Sequence, residues 1–280
     1  MIQLLDRPGG RHLLGAVATQ YFRKIAREEV AVAYIDGMWT RKVGRDFLPD
    51  GPRFQYRYDD FDRWKYQIAE YESAAREFWL RHYSPKNGDT ILDVGAGRGE
   101  DTIAFSRAVG ATGRIVAIEA HPTSFAILKN FCSLNRLRNV TVIERAMMDK
   151  PGIVHMTESQ SSWTENTIEI GNESTGIEVQ SGTIDDLCEQ LGLKDIAFLK
   201  MNIEGAERDA LIGMERSISR VQQVCIACHD FRNKNGESER FRTRDFVTNF
   251  LSTRGFTVRS RPDSPYDFVR DHLFGVRHLP

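Results

Sequence analysis

The spacing best suited to binding a small ligand occurs in the run Ile91-Leu92-Asp93-Val94-Gly95-Ala96-Gly97-Arg98-Gly99-Glu100-Asp101. An apolar stretch that reads as a buried strand leads into glycines at alternate positions, and a helix is predicted directly afterwards. Because glycine has no Cβ, the backbone of such a loop can approach a bound molecule closely. The run therefore predicts a cofactor loop between a strand and a helix.

The glycine spacing distinguishes two kinds of cofactor. A dinucleotide site has the pattern Gly-x-Gly-x-x-Gly, with the pyrophosphate over the start of the following helix. Here the third glycine comes one residue early, and Glu100 and Asp101 place negative charge where phosphates would lie. A cationic sulfonium with an amino-acid tail suits the loop better, with Asp93 facing the ammonium group. The predicted contacts of this loop are Asp93, Gly95, Ala96, Gly97, Gly99 and Glu100.

An acidic residue ends the next predicted strand. Glu119 lies twenty residues after Gly99, at a place where a carboxylate can accept both hydrogen bonds of a ribose diol. Proteins that bind NAD and proteins that bind S-adenosylmethionine share this feature, so it indicates an adenosyl ligand without choosing between them. The alternative is an acid that caps the helix beginning near Pro122. Further cofactor contacts are predicted at Ala120, Ala146 and Met147, and a methionine there could equally belong to the core.

Polar groups also follow the fourth and fifth predicted strands. Asn202 and Glu204 come after the apolar run at 196–201, and His229 ends the run at 223–229. The carboxyl ends of parallel strands meet at one edge of a sheet, so we expect Asn202, Glu204 and His229 to converge there as catalytic residues. Glu204 and His229 would orient an acceptor and remove its proton. The alternatives are a capping or salt-bridged Glu204 and a His229 satisfied within the core.

The run Cys225-Ile226-Ala227-Cys228-His229 matches the attachment pattern of c-type haem. Its two cysteines point to opposite faces of the predicted strand, and the first residues do not resemble an export signal. A helix start, which a redox Cys-x-x-Cys pair needs, is also missing here. We therefore expect two small apolar side chains that fill space in a central strand.

Short apolar runs alternate with helical segments from residue 90 onward, which is typical of a parallel sheet with crossover helices. The runs lie at 90–94, 115–119, 140–144, 196–201 and 223–229, with helices at 101–108, 122–135, 184–191 and 206–214. A helix at 243–254 and two further apolar runs around a proline-containing turn predict a final hairpin on this sheet.

The first part of the chain has another pattern. Apolar residues three and four apart predict an amphipathic helix at 13–30, interpreted as a packing or dimer helix, with membrane-surface attachment as the alternative. Residues 35–58 contain Gly, Pro and aromatic residues without a period, so irregular structure with one short strand is expected. A second helix carries a buried stripe from Phe61 to His82 and ends at the turn 84–88.

Composition limits the classes of function. The 280 residues are 41% hydrophobic and 28% charged, with a net charge of −1, which is typical of a folded protein and argues against a nucleic-acid partner. Four cysteines do not form a disulfide framework, and no apolar run reaches the roughly 18 residues of a membrane span. A cytoplasmic protein without a transmembrane segment is expected.

Residues 151–215 carry 13 acidic and three basic side chains. We interpret this stretch as a solvated face, with an acidic wall that attracts a cation as the alternative. No metal ligand is predicted. The polar stretch 158–166, which includes Trp163, is predicted to be a lid beside the cofactor pocket or a plain hairpin tip.

Three blocks of the sequence resemble the FkbM-type family of S-adenosylmethionine-dependent methyltransferases, namely Asp93–Gly97, Ala117–Pro122 and Leu199–Glu207. The last block is similar to Lys-x-Asp-x-Glu-Gly-x-Glu, with Asn202 where the family usually has Asp. That change keeps a hydrogen-bonding group and removes a charge. The resemblance runs from about residue 71 to the end of the chain.

The resemblance implies an α/β fold, a Rossmann-like seven-stranded methyltransferase sheet with a reversed last strand. It also implies S-adenosyl-L-methionine as the cofactor and methyl transfer to a hydroxyl of a sugar, polyketide or glycolipid-type acceptor. We accordingly divide the chain into a helical and irregular extension at 1–60, an acceptor-side cover or homodimer contact, and a methyltransferase domain at 61–280. The alternatives are a non-catalytic module of the same fold that binds an adenosyl ligand, suggested by Asn202, and an NAD-binding Rossmann protein.

Overall fold

The computed structural model describes residues 5–26, 29–54, 68–157, 168–169 and 176–277. Its helices are α1 (Arg11–Tyr21), α2 (Ile68–Phe78), α3 (Glu100–Val109), α4 (Pro122–Leu134), α5 (Ile184–Gln190), α6 (Glu207–Ile212), α7 (Asp230–Lys234), α8 (Arg244–Ser252) and α9 (Asp267–Arg270). Its strands are β1 (Val30–Ile35), β2 (Met38–Val43), β3 (Asp46–Gly51), β4 (Thr90–Val94), β5 (Arg114–Glu119), β6 (Val140–Glu144), β7 (Ala146–Met147), β8 (Gly152–Met156), β9 (Ile168–Glu169), β10 (Ile177–Gly182), β11 (Ile196–Met201), β12 (Val221–Ala227), β13 (Phe256–Ser260) and β14 (His272–Arg277). The predicted lid at 158–166 lies outside the described residues.

Seven strands form one sheet in the order β13-β14-β12-β11-β4-β5-β6. Strands β4, β5, β6, β11 and β12 run parallel, whereas β14 is antiparallel to both β12 and β13. The predicted seven-stranded sheet with a reversed last strand is therefore confirmed. The final hairpin places its second strand inside the sheet, next to β12, and its first strand at the edge.

Strand β4 lies between β5 and β11, so the connections that follow the neighbouring strands leave in opposite directions. In open α/β sheets such a reversal of strand order leaves a crevice at the carboxyl ends of the strands. Both the glycine loop after β4 and the polar turn after β11 open into this crevice. The topology alone thus brings together the two most informative parts of the sequence.

Helices cover both faces of the sheet, so its strands are apolar on both sides. Leu92 and Cys228 belong to the core on one face, and Ile91 and Cys225 belong to the core on the other. Both cysteines are free and buried. This arrangement confirms that the Cys-x-x-Cys-His run supplies small apolar side chains to the core.

Most strand bounds agree with the sequence prediction, and β12 is the informative exception. It spans Val221–Ala227 and so ends before His229, which becomes the residue preceding α7. The backbone N–H of Cys228 donates to the carbonyl of Asp271, which extends the antiparallel register of β12 with β14 by one residue. His229 follows this pair and is buried behind Glu204, with Nε2 3.1 Å from the Glu204 carboxylate.

A second sheet, in the order β7-β10-β8-β9, follows the third strand of the main sheet. Its residues Met156 and Val179 pack with Ala146, Met148 and Ala206 in a cluster of their own. This sheet was not expected from the sequence, because three of its four strands are short or partly exposed and carry little periodicity. Its effect is to place Met156 beside the crevice.

The amino-terminal extension contains a three-stranded antiparallel sheet, β1-β2-β3, where irregular structure was expected. Two-residue turns explain the difference, because Asp36 and Gly37 both have positive φ angles, of 48° and 81°. An Asp-Gly pair in this conformation is a strong hairpin signal that the aromatic composition obscured. Helix α1 packs on this sheet through Leu14 and Trp39.

Strand β3 attaches this small sheet to the main domain. Leu48 is buried against Ile103 of α3 and Phe131 of α4. The side chain of Asn135 accepts a hydrogen bond from the backbone N–H of Phe47, at 3.0 Å, and donates one to its carbonyl, at 2.7 Å. The described part of the extension therefore lies on the two helices that flank the glycine loop. Within the described ranges, no helix is long and apolar enough to cross a membrane.

Candidate cofactor and acceptor site

The glycine loop is fixed by backbone contacts with two neighbouring strand ends. The N–H groups of Gly95 and Ala96 both donate to the carbonyl of Ile118, at 2.9 Å, and the N–H of Asn202 donates to Val94, also at 2.9 Å. Gly95 has φ +75°, and a Cβ added there would lie 1.9 Å from the carbonyl oxygen of Asn202. Only glycine allows the two turns to approach this closely.

A buried lysine lies directly beneath this loop. The Nζ of Lys200, which is 1% exposed, is 2.6 Å from the carbonyl oxygen of Gly95 and 3.0 Å from Oδ1 of Asp93. Asp101 is 3.8 Å from the same ammonium group. Burial alone would lower the pKa of Lys200, but the two carboxylates outweigh it and raise this pKa. The charged side chain of Lys200 thus joins β11 to β4 and α3 through ion pairs, a role that was not expected from the sequence.

Asp93 therefore occupies a different place from the one predicted. It is completely buried, its Oδ2 accepts a hydrogen bond from the hydroxyl of Thr102 at 2.7 Å, and its Oδ1 faces Lys200. Its oxygens are directed behind the loop, so the predicted contact with an ammonium group is replaced by an indirect role. Gly99 is also behind the loop, where an added Cβ would lie 2.9 Å from the ring of Phe131 and 3.0 Å from Leu128.

Glu119 lies at the end of β5 and uses both of its oxygens. Oε2 accepts a hydrogen bond from the N–H of Gly97 at 2.8 Å, and Oε1 accepts one from the N–H of His121 at 2.9 Å. Burial raises the pKa of Glu119 to about 7, although the two backbone hydrogen bonds act in the opposite direction. The contact with His121, which precedes α4, corresponds to the capping alternative, while the side chain also borders the crevice.

The crevice is one cavity that collects residues predicted for the cofactor and for the acceptor. Its lining includes the predicted residues Gly95, Gly97, Glu100, Glu119, Ala120, Ala146, Met147, Asn202 and Glu204. It also includes Arg98, Ser124, Arg145, Met156 and Ile203, which the sequence analysis missed. Ala96 is buried in the core beside the loop, and His229 lies behind Glu204.

Arg98 connects the cavity to the amino-terminal sheet. Its Nη2 donates to the carbonyl oxygens of Pro49, at 3.2 Å, and Asp50, at 2.6 Å, near the end of β3. Its Nε is buried and has no hydrogen-bond partner among the described residues. An arginine between two glycines has no distinguishing spacing, so only the fold shows that this side chain borders the cavity.

A chain of ionic contacts joins Glu204, on the cavity wall, to residues behind it. Glu204, whose φ is +50°, places Oε1 3.1 Å from Nε2 of His229 and Oε2 2.8 Å from Nη1 of Arg232. The other ring nitrogen of His229, Nδ1, is 3.0 Å from Oε1 of Glu207. Glu204 is thus salt-bridged, as the alternative proposed, and it still lines the cavity.

The charge of His229 follows from this arrangement. Burial would lower the pKa of His229, but the carboxylates of Glu207 and Glu204 raise it to about 10. A histidine with this pKa is an imidazolium at neutral pH and has no free lone pair on either nitrogen. The prediction that His229 removes a proton from the acceptor is corrected accordingly. Burial would in turn raise the pKa of Glu207, but the imidazolium lowers it.

A reversed seventh strand, a glycine loop after the first strand of the main sheet and an acid after the second together define the Rossmann-like methyltransferase class. Within this class, the family model of the methyltransferase FkbM domain matches residues 93–258. The chain belongs to this family, as the three sequence blocks indicated.

Solved structures show more distant likenesses. The methyltransferase FkbM of Methylobacillus flagellatus is 20% identical, with 67% of this chain and 43% of that chain covered and a TM-score of 0.46. Aeropyrum pernix fibrillarin, bound to S-adenosyl-L-methionine, is 15% identical, with 89% and 98% covered and a TM-score of 0.46. The O-methyltransferase TomG of Streptomyces achromogenes is 12% identical, with 79% and 86% covered and a TM-score of 0.47. These likenesses are too distant to identify an acceptor, and no curated protein matches the sequence.

Proposed function

We propose that this protein transfers the methyl group of S-adenosyl-L-methionine to a hydroxyl of a sugar, polyketide or glycolipid-type acceptor. The observation that carries the proposal is that Glu119 and Glu204 line the same cavity, with the glycine loop between their strands. A carboxylate suited to a ribose diol and a carboxylate suited to an acceptor hydroxyl are thus present at one crevice.

The charges of the cavity favour this cofactor over NAD. Glu100 lines the cavity at the first turn of α3, where a pyrophosphate would have to lie, and like charges disfavour that arrangement. The buried Nε of Arg98 lacks a partner among the described residues and would be satisfied by the carboxylate of the methionine tail. Glu119 would hold the ribose diol, and Ala120, Ala146 and Met147 would border the adenine.

When bound, the cofactor supplies an electrophilic methyl group on a positively charged sulfur. The glycine loop, Arg98 and Glu119 would hold the cofactor so that an acceptor oxygen would take this methyl group in exchange for its proton. The hydroxyl proton must leave, and Glu204, the cavity carboxylate that follows β11, would accept it before passing it to solvent. Asn202 would orient the hydroxyl by a hydrogen bond, a task that needs no charge. Positioning of the two reactants supplies most of the acceleration.

A non-catalytic module with the same fold is the second candidate, and Asn202 is the observation that favours it. The two candidates differ in one measurement. Calorimetry with S-adenosylhomocysteine and NAD, followed by mass spectrometry of hydroxylated acceptors incubated with S-adenosylmethionine, separates them. We expect S-adenosylhomocysteine to bind more tightly than NAD, and one acceptor class to gain the mass of a CH₂ group as a methyl replaces a hydrogen. Binding without turnover on any acceptor class would favour the second candidate.

The position of the extension suggests its role. Through Arg98 and the contact of Phe47 with Asn135, the described part supports the cofactor loop and α4. We propose that the unit at 1–60 stabilises the cofactor site of the unit at 61–280, in addition to the acceptor-side cover or dimer contact expected from the sequence. Removal of the hydrogen bonds of Asn135 by replacement with Ala should weaken S-adenosylhomocysteine binding, and unchanged binding would limit the extension to the acceptor side or a dimer.

A further inference from the structure

We propose that Glu207 is a positioning residue for methyl transfer: acting through His229, it holds the carboxylate of Glu204 at the cavity wall. The inference rests on the proposed function, because it concerns how the acceptor-side carboxylate is held. Neither Glu207 nor its contact with His229 was assigned a role by the sequence. Glu207 itself is completely buried and is not part of the cavity lining.

The geometry is a linear series of charged contacts. Glu207 Oε1 accepts hydrogen bonds from Nδ1 of His229, at 3.0 Å, and from the N–H of Gly205, at 3.1 Å. The opposite ring nitrogen, Nε2, is 3.1 Å from Glu204. The imidazole ring of His229 therefore connects the buried carboxylate of Glu207 to the cavity-lining carboxylate of Glu204. The N–H of Gly205 also connects the Glu207 carboxylate to the turn that carries Glu204.

The ring can bond to both carboxylates only when both of its nitrogens carry protons. A neutral imidazole has one donor and one acceptor, so one of the two carboxylates would face a lone pair. Besides Glu204 and Glu207, the charged and titratable groups near this chain of contacts are Arg232, Arg240, Asp209, Cys228 and His272. The two acids adjacent to the ring outweigh its burial and the positive charges beyond them, so His229 remains protonated.

The backbone conformation at Glu204 explains why side-chain contacts are needed to keep its carboxylate in place. Its φ of +50° lies in the left-handed region that non-glycine residues seldom adopt, at a cost of about 1–2 kcal/mol. A turn in this conformation is not maintained by local preference, so side-chain contacts must maintain it. His229 and Arg232 hold the two carboxylate oxygens from opposite sides, and Glu207 keeps the first of these partners charged.

The test uses Glu207→Gln, which keeps the size of the side chain and an acceptor oxygen but removes the charge. Asp185→Asn is the matched control, because Asp185 is also a buried acid in the first turn of a helix and accepts backbone hydrogen bonds from Arg216 and Ser217, while the part of the chain that the structure describes offers it no histidine partner. We expect E207Q to lower kcat about 100-fold, the effect of a misplacement of about 1 Å. Affinity for S-adenosylhomocysteine should change less than about threefold, and D185N should change neither quantity.

Two further readouts distinguish positioning from a structural role. In full-length protein labelled at histidine nitrogens, both ring nitrogens of His229 should be protonated at pH 8, and E207Q should move its titration to lower pH. The kcat of E207Q should then gain an ionisation below pH 8 that the wild type lacks. A neutral His229 in the wild type, or an unchanged kcat in E207Q, would overturn the proposal.

The proposal can fail separately from the proposed function. If no acceptor is methylated although S-adenosylhomocysteine binds, the proposed function fails, and crystals of wild type and E207Q with S-adenosylhomocysteine provide the remaining test. Displacement of the Glu204 carboxylate in E207Q would support the positioning role of Glu207, and an unmoved carboxylate would refute it. If E207Q does not fold, the nitrogen spectrum of the wild type and the variant His229→Gln decide, since H229Q should show the same loss of kcat.

Discussion

Replacement of Glu119 by Gln tests the cofactor site most directly. Both carboxylate oxygens accept backbone hydrogen bonds, from Gly97 at 2.8 Å and from His121 at 2.9 Å. Gln supplies one acceptor oxygen and places an NH₂ group where the second oxygen was. One backbone N–H then faces another donor, and the ribose diol loses one of the two acceptors that it needs.

The magnitude follows from these lost contacts. A hydrogen bond to a charged group contributes about 1.5–3 kcal/mol, and a buried donor left unpaired costs about 1–3 kcal/mol. The unpaired N–H destabilises the protein equally with and without ligand, so it does not change the affinity directly. The loss in affinity comes mainly from the lost hydrogen bond to the diol and from displacement of the glycine loop. We expect a loss of about 3 kcal/mol, or roughly 100-fold in the Kd of S-adenosylhomocysteine.

The pH dependence supplies an independent measurement. The diol needs the carboxylate form, and burial raises the pKa of Glu119 to about 7. Affinity should therefore be constant above pH 7 and fall as the pH drops below it, by up to about tenfold per unit. E119Q has no such ionisation, so its affinity should lose this dependence between pH 5 and 7.

Glu144 provides the matched control for this experiment. It pairs with Glu119 in the register of β5 and β6 but is exposed at the strand end. Titration calorimetry at pH 5, 6, 7 and 8 on wild type, E119Q and E144Q should show the loss only in E119Q. A change of less than about threefold in E119Q, or an equal loss in E144Q, would refute the assignment of Glu119 to the ribose.

Three other variants test the support of the glycine loop. Lys200→Met leaves two acids without their cation and should lower the free energy of unfolding by about 3–5 kcal/mol in urea titrations. The control Lys194→Met, at an exposed lysine, should change this free energy little. Equal effects of the two substitutions would contradict a structural role for the ion pairs of Lys200. Gly95→Ala would place a methyl group against the carbonyl of Asn202 and should abolish S-adenosylhomocysteine binding, so retained affinity would show that the two turns can separate. Burial raises the pKa of Asp101 to about 7 from its ordinary value of 3.8, so its protonated form is favoured in the folded state. Its contribution to stability is present below pH 3.8 and is lost as the pH rises toward 7, so the free energy of unfolding of the wild type should fall over that window relative to Asp101→Asn. Parallel curves would contradict this expectation.

Local sequence was sufficient for the main sheet and the cofactor loop. Apolar runs of five to seven residues separated by helical segments predicted β4, β5, β6, β11 and β12 because burial on both faces requires that composition. The glycine spacing at 95, 97 and 99 predicted the loop because close backbone approach excludes a Cβ. These features depend on residues that are neighbours along the chain.

In the amino-terminal extension the sequence contained a hairpin signal, but the aromatic and glycine composition led to the opposite prediction. Aromatic and glycine residues between 35 and 58 suggested irregular structure, although the Asp36-Gly37 pair marks a two-residue hairpin turn. The aromatic side chains were needed to fill the interface between this sheet and α1, where Trp39 is completely buried. The aromatic composition of this segment therefore indicated side chains that pack against α1, and not a lack of regular secondary structure.

The sequence by itself determined the family, the seven-stranded sheet with a reversed last strand that the family implies, and the set of polar residues at the strand ends. Only the tertiary structure decided what charge and which partner each of those residues has. Asp93 binds Lys200 behind the loop instead of a ligand, and His229 is an imidazolium because Glu204 and Glu207 are 3.1 and 3.0 Å away. The physical reason is that a pKa and a hydrogen-bond partner depend on burial and on distances between groups far apart in the chain, which the order of residues does not specify.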